Sequence, residues 1–184
     1  MHKQEQIYYQ QIQDFLLSRR VTEVFYEELD YQDGQGHWEE SNECHSLDLN
    51  IILQLDNQEL VQIKWDNEFY AYGLGLEKVS QLNPREGIKI INASSHQNWT
   101  SLINQRIVSI HIYWDECNSS DTNFLPTVWE VQFEHHHKIW IATVEIYEGK
   151  MTSFWANHLT IFFSREEAIK YQLIPADKHF ALKA

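Results

Sequence analysis

The sequence predicts an α+β protein built mainly from antiparallel β-sheet, with an N-terminal helix and a short C-terminal helix. Aromatic and β-branched residues, which favour strands, dominate the middle and the C-terminal half of the chain. Several stretches alternate apolar and polar residues at period two, as half-buried strands do. The chain has 184 residues, only six Gly and three Pro, and no linker-like segment, so we expect a single domain over residues 1–184.

The N-terminal segment predicts an amphipathic helix of about four turns. Tyr8, Ile12, Phe15 and Leu16 recur at helical spacing with polar residues between them. The basic pair at 19–20 suits the negative end of such a helix. We therefore expect a helix that buries one face and ends before residue 21.

The first half of the chain then predicts a series of strands separated by polar turns. A turn signal at 33–36 (Asp-Gly-Gln-Gly) separates the first two, and Asp56-Asn57-Gln58 closes a hairpin between the next two. Gly73 and Gly75 on one face of a later strand indicate close packing or a bulge. The expected strands are 21–31, 37–40, 47–55, 60–65, 70–76 and 88–91.

The second half repeats this design and closes with a helix. A polar loop at 115–125 separates the first strand from a hairpin whose tip is 134–137. Ser164 and Glu167 match a capping box, and Pro175 ends the short helix that follows. The hairpins at 53–63 and 131–141 share an apolar pattern, which leaves a duplicated unit open. The expected strands are 107–114, 128–133, 139–146 and 159–163.

The negative charge is concentrated in one third of the chain. Residues 21–77 contain fourteen acidic residues and one basic residue, Lys64, so they carry the entire formal net charge of −13. Such a field repels nucleic acid and anionic lipid and attracts cationic partners. It also serves solubility, which is the alternative interpretation.

Histidine and cysteine residues give weak metal patterns. His135 and His137 would share a strand face about 7 Å apart, but they fall at a hairpin tip, where a solvated turn is the favoured interpretation. Cys44 precedes His45, while Cys117 is remote, so four zinc ligands at regular spacing are absent. We expect no metal and no other cofactor.

Catalytic patterns are equally weak. Glu27, Glu28 and Asp30 could supply an acid and a base, but adjacent acids on a solvated strand face are the commoner case. No phosphate-binding loop or G-x-S-x-G motif is found in the sequence. The pattern therefore favours a binding protein over an enzyme.

Exposed aromatic residues beside carboxylates are typical of protein-binding sites, especially for partners rich in Arg or Lys. For each of Trp38, Trp99, Trp129 and Trp155 taken singly, core packing is the favoured role. The residues that we expect to contact a cationic partner are Glu27, Glu28, Asp30, Trp38, Glu39 and Glu40.

Several strand segments carry a family resemblance. The segments ELVQIKWDN (59–67), RIVSIHIYW (106–114), KIWIATVEI (138–146) and NHLTIFF (157–163), with a proline before a strand at 125–126, resemble small β-rich bacterial immunity-type proteins. Those are cytoplasmic neutralisers encoded beside polymorphic toxins. The resemblance implies binding without catalysis, with an acidic face docked on a basic toxin, often a nuclease. It carries over no functional residue.

The rival interpretation is a small-molecule-binding or hydrolytic protein that uses His and carboxylate groups in a sheet cleft. The N-terminal sequence MHKQEQIYYQ lacks the apolar core of a secretory signal, and no stretch is long and apolar enough for a membrane span. We therefore expect a cytoplasmic protein with a protein partner.

Overall fold

A computed structural model of the chain describes residues 3–32, 38–66, 68–69, 73–116, 124–152 and 158–175. The helices of this part are α1 (Lys3–Leu16), α2 (Gln97–Thr100) and α3 (Arg165–Lys170). Its strands are β1 (Val21–Leu29), β2 (Glu39–Ser41), β3 (Cys44–Leu47), β4 (Ile51–Leu55), β5 (Leu60–Asp66), β6 (Gly73–Val79), β7 (Ile88–Asn92), β8 (Ile107–Glu116), β9 (Phe124–Phe133), β10 (Lys138–Ala142), β11 (Glu145–Tyr147), β12 (Lys150–Thr152) and β13 (Leu159–Phe162). The predicted α+β class, with helices near both ends, is confirmed.

The strands form two large sheets and one small hairpin. The five-stranded sheet has the order β6-β5-β4-β1-β7, and the six-stranded sheet has the order β2-β3-β13-β10-β9-β8. Strands β11 and β12 pair with each other. The paired strands are antiparallel throughout. Strand β2 lies at an edge of the six-stranded sheet.

The main apolar core draws on both large sheets and on α1. Helix α1 buries Tyr8, Ile12 and Leu16, the face that its sequence period predicts. The Tyr8 hydroxyl accepts a hydrogen bond from Trp129 Nε1 at 3.1 Å and donates to the Leu74 carbonyl. Because Leu74 and Trp129 belong to different sheets, this tyrosine fixes the helix to both.

A second apolar cluster lies where α3 packs on the six-stranded sheet. It includes Trp140 and Phe162 from the sheet and Ala168 from the helix. The Ser164 side chain accepts a hydrogen bond from the Glu167 N–H at 3.3 Å, as the capping pattern predicts. This cap fixes where α3 begins, close to β3 and β13.

The predicted strand 47–55 is wrong as a continuous element. The chain leaves β3 at Leu47 and enters β4 at Ile51, so the two pieces belong to different sheets. The break is held by Asp48, whose Oδ2 accepts the Leu29 N–H at 3.1 Å. An alternating pattern alone cannot show that a chain passes from one sheet to another.

The second half also departs from prediction at two points. Strand β9 begins at Phe124, inside the predicted loop, and includes Pro126 opposite Trp114. Pairing of β9 with β10 begins only at Val128, so the missing proline N–H removes no bond to β10. The predicted strand 139–146 is divided into β10 and β11 at 143–144.

Helix α2 was not anticipated, because no element was predicted between the strands 88–91 and 107–114. The close packing predicted for the glycines of β6 is confirmed: a Cβ at Gly75 would collide with the Asp66 side chain, and one at Gly73 would lie 3.0 Å from Pro126. The predicted turn at 33–36, part of the strand 70–76, Cys117 and Trp155 lie outside the described residues. Within the described chain, no helix has both the length and the apolar character to cross a bilayer.

Candidate functional site

A buried imidazole lies between the two sheets at the centre of the candidate site. His45 on β3 is fully buried, and its Nδ1 lies 2.7 Å from the hydroxyl of Tyr26 on β1. The same hydroxyl oxygen accepts a hydrogen bond from Trp99 Nε1, which α2 supplies. Strand β1 and helix α2 therefore fix one side of the His45 ring.

The other side of the His45 ring faces Asn98, whose Nδ2 lies 3.3 Å from His45 Nε2. Burial, reinforced by the nearby His96, lowers the pKa of His45 to about 3. His45 is therefore neutral at pH 7, with a lone pair on one ring nitrogen. A neutral imidazole is the form that accepts hydrogen bonds or binds metal ions.

His96 and Glu39 lie beside this ring. His96 is the residue that precedes α2, and its Nε2 is 3.2 Å from Oε1 of Glu39 on β2. One ligand atom from each of Glu39, His45 and His96 lies within 4.8 Å of those of the other two. We refer to these three residues as the imidazole cluster.

Aromatic rings enclose the imidazole cluster. The Trp38 ring centroid lies 4.7 Å from His45, 5.3 Å from His96 and 5.3 Å from Tyr26, in edge-to-face arrangements. Phe163 lies 4.7 Å from His45 on another side. Such packing restricts the rotation of the imidazoles, since buried aromatic pairs prefer defined geometries.

Four carboxylates form a second feature beside the imidazole cluster, which we name the acidic edge: Glu40, Glu43, Glu166 and Glu167. Glu43 lies in the turn between β2 and β3, and its carbonyl accepts the Phe163 N–H at 2.9 Å. This bond brings the turn to the start of α3, whose first turn carries Glu166 and Glu167. Burial, reinforced by the charges of Glu167 and Glu40, raises the pKa of the Cys44 thiol to about 12.

Most of the acidic edge is not neutralised within the described part of the chain. Lys170 pairs with Glu167 at 3.0 Å. No lysine or arginine among the described residues forms an ion pair with Glu40, Glu43 or Glu166. The acidic edge thus keeps uncompensated negative charge next to an edge strand.

A carboxyl pair, the buried Glu28 and the partly buried Asp48, lies further along the junction of the sheets. The Asp48 N–H donates to Glu28 Oε1 at 3.2 Å. Burial, reinforced by the Asp48 charge, raises the pKa of Glu28 to about 8. Burial also acts to raise the pKa of Asp48, but hydrogen bonds from His158, the Leu29 N–H and Tyr31 outweigh it and lower that pKa. Divergent pKa values in adjacent carboxyls are typical of acid–base pairs.

The six residues expected to contact a partner do not share one surface. Glu27 and Glu28 are only 3% and 4% exposed, which corrects the prediction that they lie on a solvated face. Glu27 accepts hydrogen bonds from Asn50 and Gln62 at 2.6 and 2.8 Å, so burial is compensated by amide donors. Asp30 pairs with Lys89 at 2.8 Å.

The other three expected residues come together at β2. Trp38 packs on the imidazole cluster, Glu39 belongs to that cluster, and Glu40 belongs to the acidic edge. Glu39 and Glu40 are consecutive residues of a strand, so their side chains face opposite sides. Only the tertiary structure shows which groups each side chain meets.

An open groove runs along the six-stranded sheet beside α3, with a volume of about 780 Å³. Glu130 lies in it and accepts hydrogen bonds from Tyr113, Lys138 and Trp140 at 2.9, 2.5 and 3.1 Å. Burial acts to raise the pKa of Glu130, but these donors outweigh it and lower that pKa. The groove therefore holds a fixed carboxylate flanked by a cation and aromatic rings.

The weaker metal candidates from the sequence behave as a solvated turn. His135 and His137 are exposed in the turn between β9 and β10, and His137 Nδ1 contacts Gln105 at 3.0 Å. Cys44 is a free, buried cysteine of the second apolar cluster. Both findings agree with the structural roles favoured by the sequence.

His96 is the site residue that sequence reasoning missed. It lies in a polar connecting segment, far from Glu39 and His45 along the chain, and no spacing rule links the three. The available signal was His45, which follows Cys44 between the predicted strands 37–40 and 47–55.

Similarity to other proteins does not explain the site. Known protein families, curated proteins and solved structures gave no match to this chain. Its function must therefore be inferred from the arrangement of its own residues.

Proposed function

We propose that the protein binds a cationic protein partner through the acidic edge, without catalysing a reaction. The observation that carries this proposal is the uncompensated charge of Glu40, Glu43 and Glu166 beside the edge strand β2. Complementary charge raises association rates and selects among partners.

Other acidic residues of the segment 21–77 differ from those of the acidic edge, because they are paired with lysines. In the five-stranded sheet, Glu59 pairs with Lys78 and Glu77 pairs with Lys64, the latter at 2.5 Å. Two acids of the five-stranded sheet, Glu59 and Glu77, are thus paired with lysines, whereas Glu40 and Glu43 of the acidic edge have no lysine or arginine partner among the described residues. A solubility role alone does not require this difference.

The position of β2 suggests how a partner could dock. An edge strand presents backbone N–H and C=O groups that a partner's extended segment can pair with. An extended segment rich in Lys or Arg would combine this pairing with the charge of Glu40 and Glu43. The resemblance to immunity-type proteins suggests that this partner is a basic toxin.

The test is binding to the protein encoded by the neighbouring gene, measured by calorimetry with the full chain. The variant Glu40→Lys/Glu43→Lys reverses the acidic edge. The control Asp56→Lys/Glu86→Lys makes the same charge change at exposed turns of the five-stranded sheet. We expect the edge variant to weaken binding by at least about tenfold, a coupling of about 1.4 kcal/mol, and the control to change it far less. Equal losses, or no binding by the wild type, would refute the proposal.

The groove favours a second candidate function, the binding of a small molecule. Its volume of about 780 Å³ lies in the range of ligand sites, and its His, Glu and Trp groups match the rival interpretation. If this is the function, Lys138→Ala should abolish ligand-induced stabilisation in a thermal-shift screen, while Glu40→Lys/Glu43→Lys should preserve it.

A further inference from the structure

We propose that Glu39, His45 and His96 form a binding site for one divalent transition-metal ion, with Zn²⁺ as the ion of matching chemistry. The inference goes beyond the proposed function, because it concerns a ligand of the chain itself and not a protein partner. It rests on a cluster that three separate elements, β2, β3 and the residue before α2, bring together.

The separation of two of the ligands already fits a common ion. Glu39 Oε1 and His96 Nε2 lie 3.2 Å apart. Two ligand atoms at roughly 2.1 Å from one zinc ion have this separation when the angle between them is about 100°, near the tetrahedral value.

His45 is held in an orientation suited to coordination. Its Nδ1 is bonded to the Tyr26 hydroxyl at 2.7 Å, and that hydroxyl is itself fixed by Trp99. The remaining nitrogen, Nε2, lies 3.3 Å from Nδ2 of the Asn98 amide. Metal-binding histidines commonly bond a second group through the nitrogen that does not hold the metal. Rotation of the Asn98 amide would free Nε2.

The exposure of the three side chains provides a route for the ion. His45 is fully buried, the His96 side chain is 17% exposed and the Glu39 side chain is 44% exposed. The cluster is therefore closed on the His45 side and open to solvent at Glu39. Three protein ligands with an open side leave room for water in the remaining position.

The ligand types decide between classes of ion. Two imidazoles and one carboxylate favour zinc and similar transition metals, whereas Mg²⁺ and Ca²⁺ prefer sites made only of oxygen. The proposed site should therefore discriminate against Mg²⁺ even when that ion is in large excess.

The test is calorimetric titration of the untagged full chain with ZnCl₂. The variants His96→Gln and Glu39→Gln each remove one ligand from a side chain that is not fully buried, so both should fold. The control is His135→Gln/His137→Gln, which removes exposed imidazoles of the hairpin turn. Circular dichroism in the presence of a chelator verifies that every variant is folded.

We expect wild type and control to share a tight site for one Zn²⁺ per chain, and each ligand variant to bind at least about tenfold more weakly. Mg²⁺ should give no heat at the same concentrations. Loss of the tight site in the hairpin control, or its retention in both ligand variants, would overturn the proposal. Glu40 and Glu43 are unchanged in these variants, so the absence of a zinc site would not contradict partner binding by the acidic edge. In the same way, the absence of partner binding would not contradict the zinc site.

Discussion

Removal of the Tyr26 hydroxyl should destabilise the fold more than any ordinary loss of a tyrosine hydroxyl. This oxygen accepts the Trp99 indole N–H and bonds Nδ1 of His45, and all three residues are fully buried. Tyr26→Phe therefore leaves two buried polar groups without a partner. Each such group costs about 1–3 kcal/mol, so we expect a loss of roughly 2–6 kcal/mol in the free energy of unfolding.

The assay is urea unfolding at pH 7, followed by far-UV circular dichroism, with Tyr147→Phe as the control. Tyr147 is 60% exposed, so the same chemical change there should alter stability by no more than about 0.5 kcal/mol. A large shift in midpoint for Tyr26→Phe, with an unchanged slope, is the expected result. If the two variants unfold at the same urea concentration, the network between the sheets contributes no stability and the reasoning fails.

Two further predictions concern the carboxyl pair and a glycine. The pKa of Glu28, about 8, lies above its unfolded value near 4.5, so the folded state holds an extra proton between these values and stability falls as pH rises through that window. Glu28→Gln should remove this contribution, so the free energy of unfolding of the variant relative to wild type should rise by up to about 1.4 kcal/mol per pH unit from pH 5 to 8. The measurement is urea unfolding at several pH values. A difference between the two proteins that does not change with pH would contradict the burial argument. Gly75→Ala should lower the free energy of unfolding by about 1–3 kcal/mol, because the added Cβ would collide with Asp66 on the neighbouring strand β5. The measurement is thermal unfolding, and an unchanged stability would contradict the predicted collision.

The elements with a regular local pattern were predicted well. Helix α1 follows from apolar residues at helical spacing, and the β4–β5 hairpin follows from alternation around a polar turn. The start of α3 follows from Ser164, whose side chain caps the helix. In each case the residues that specify the element are close together in the chain.

The misplaced strand ends depend on tertiary contacts. The break after β3 is fixed by Asp48, which bonds the end of β1 and His158. Pro126 lies in a strand because pairing with β10 has not begun at that point. Local patterns do not contain these partners.

The candidate site also combines features that a local sequence pattern indicates with features that depend on tertiary contacts. The sequence placed Trp38, Glu39 and Glu40 together, since an aromatic residue stands beside carboxylates there, and their contact with a partner stays a prediction. It could not reveal that Glu27 and Glu28 turn into the protein, or that His96 returns to meet Glu39. Burial and long-range pairing decide these features, and both arise only when the two sheets assemble.

The most direct test of the central claim is the association rate of the protein with the product of the neighbouring gene, measured by stopped flow at several salt concentrations. If the acidic edge guides a cationic partner, wild type should associate fastest at low salt, and Glu40→Lys/Glu43→Lys should be slower with a flatter salt dependence. The Asp56→Lys/Glu86→Lys control should keep most of the wild-type rate and slope. Identical rates and salt slopes for wild type and the edge variant would contradict the account.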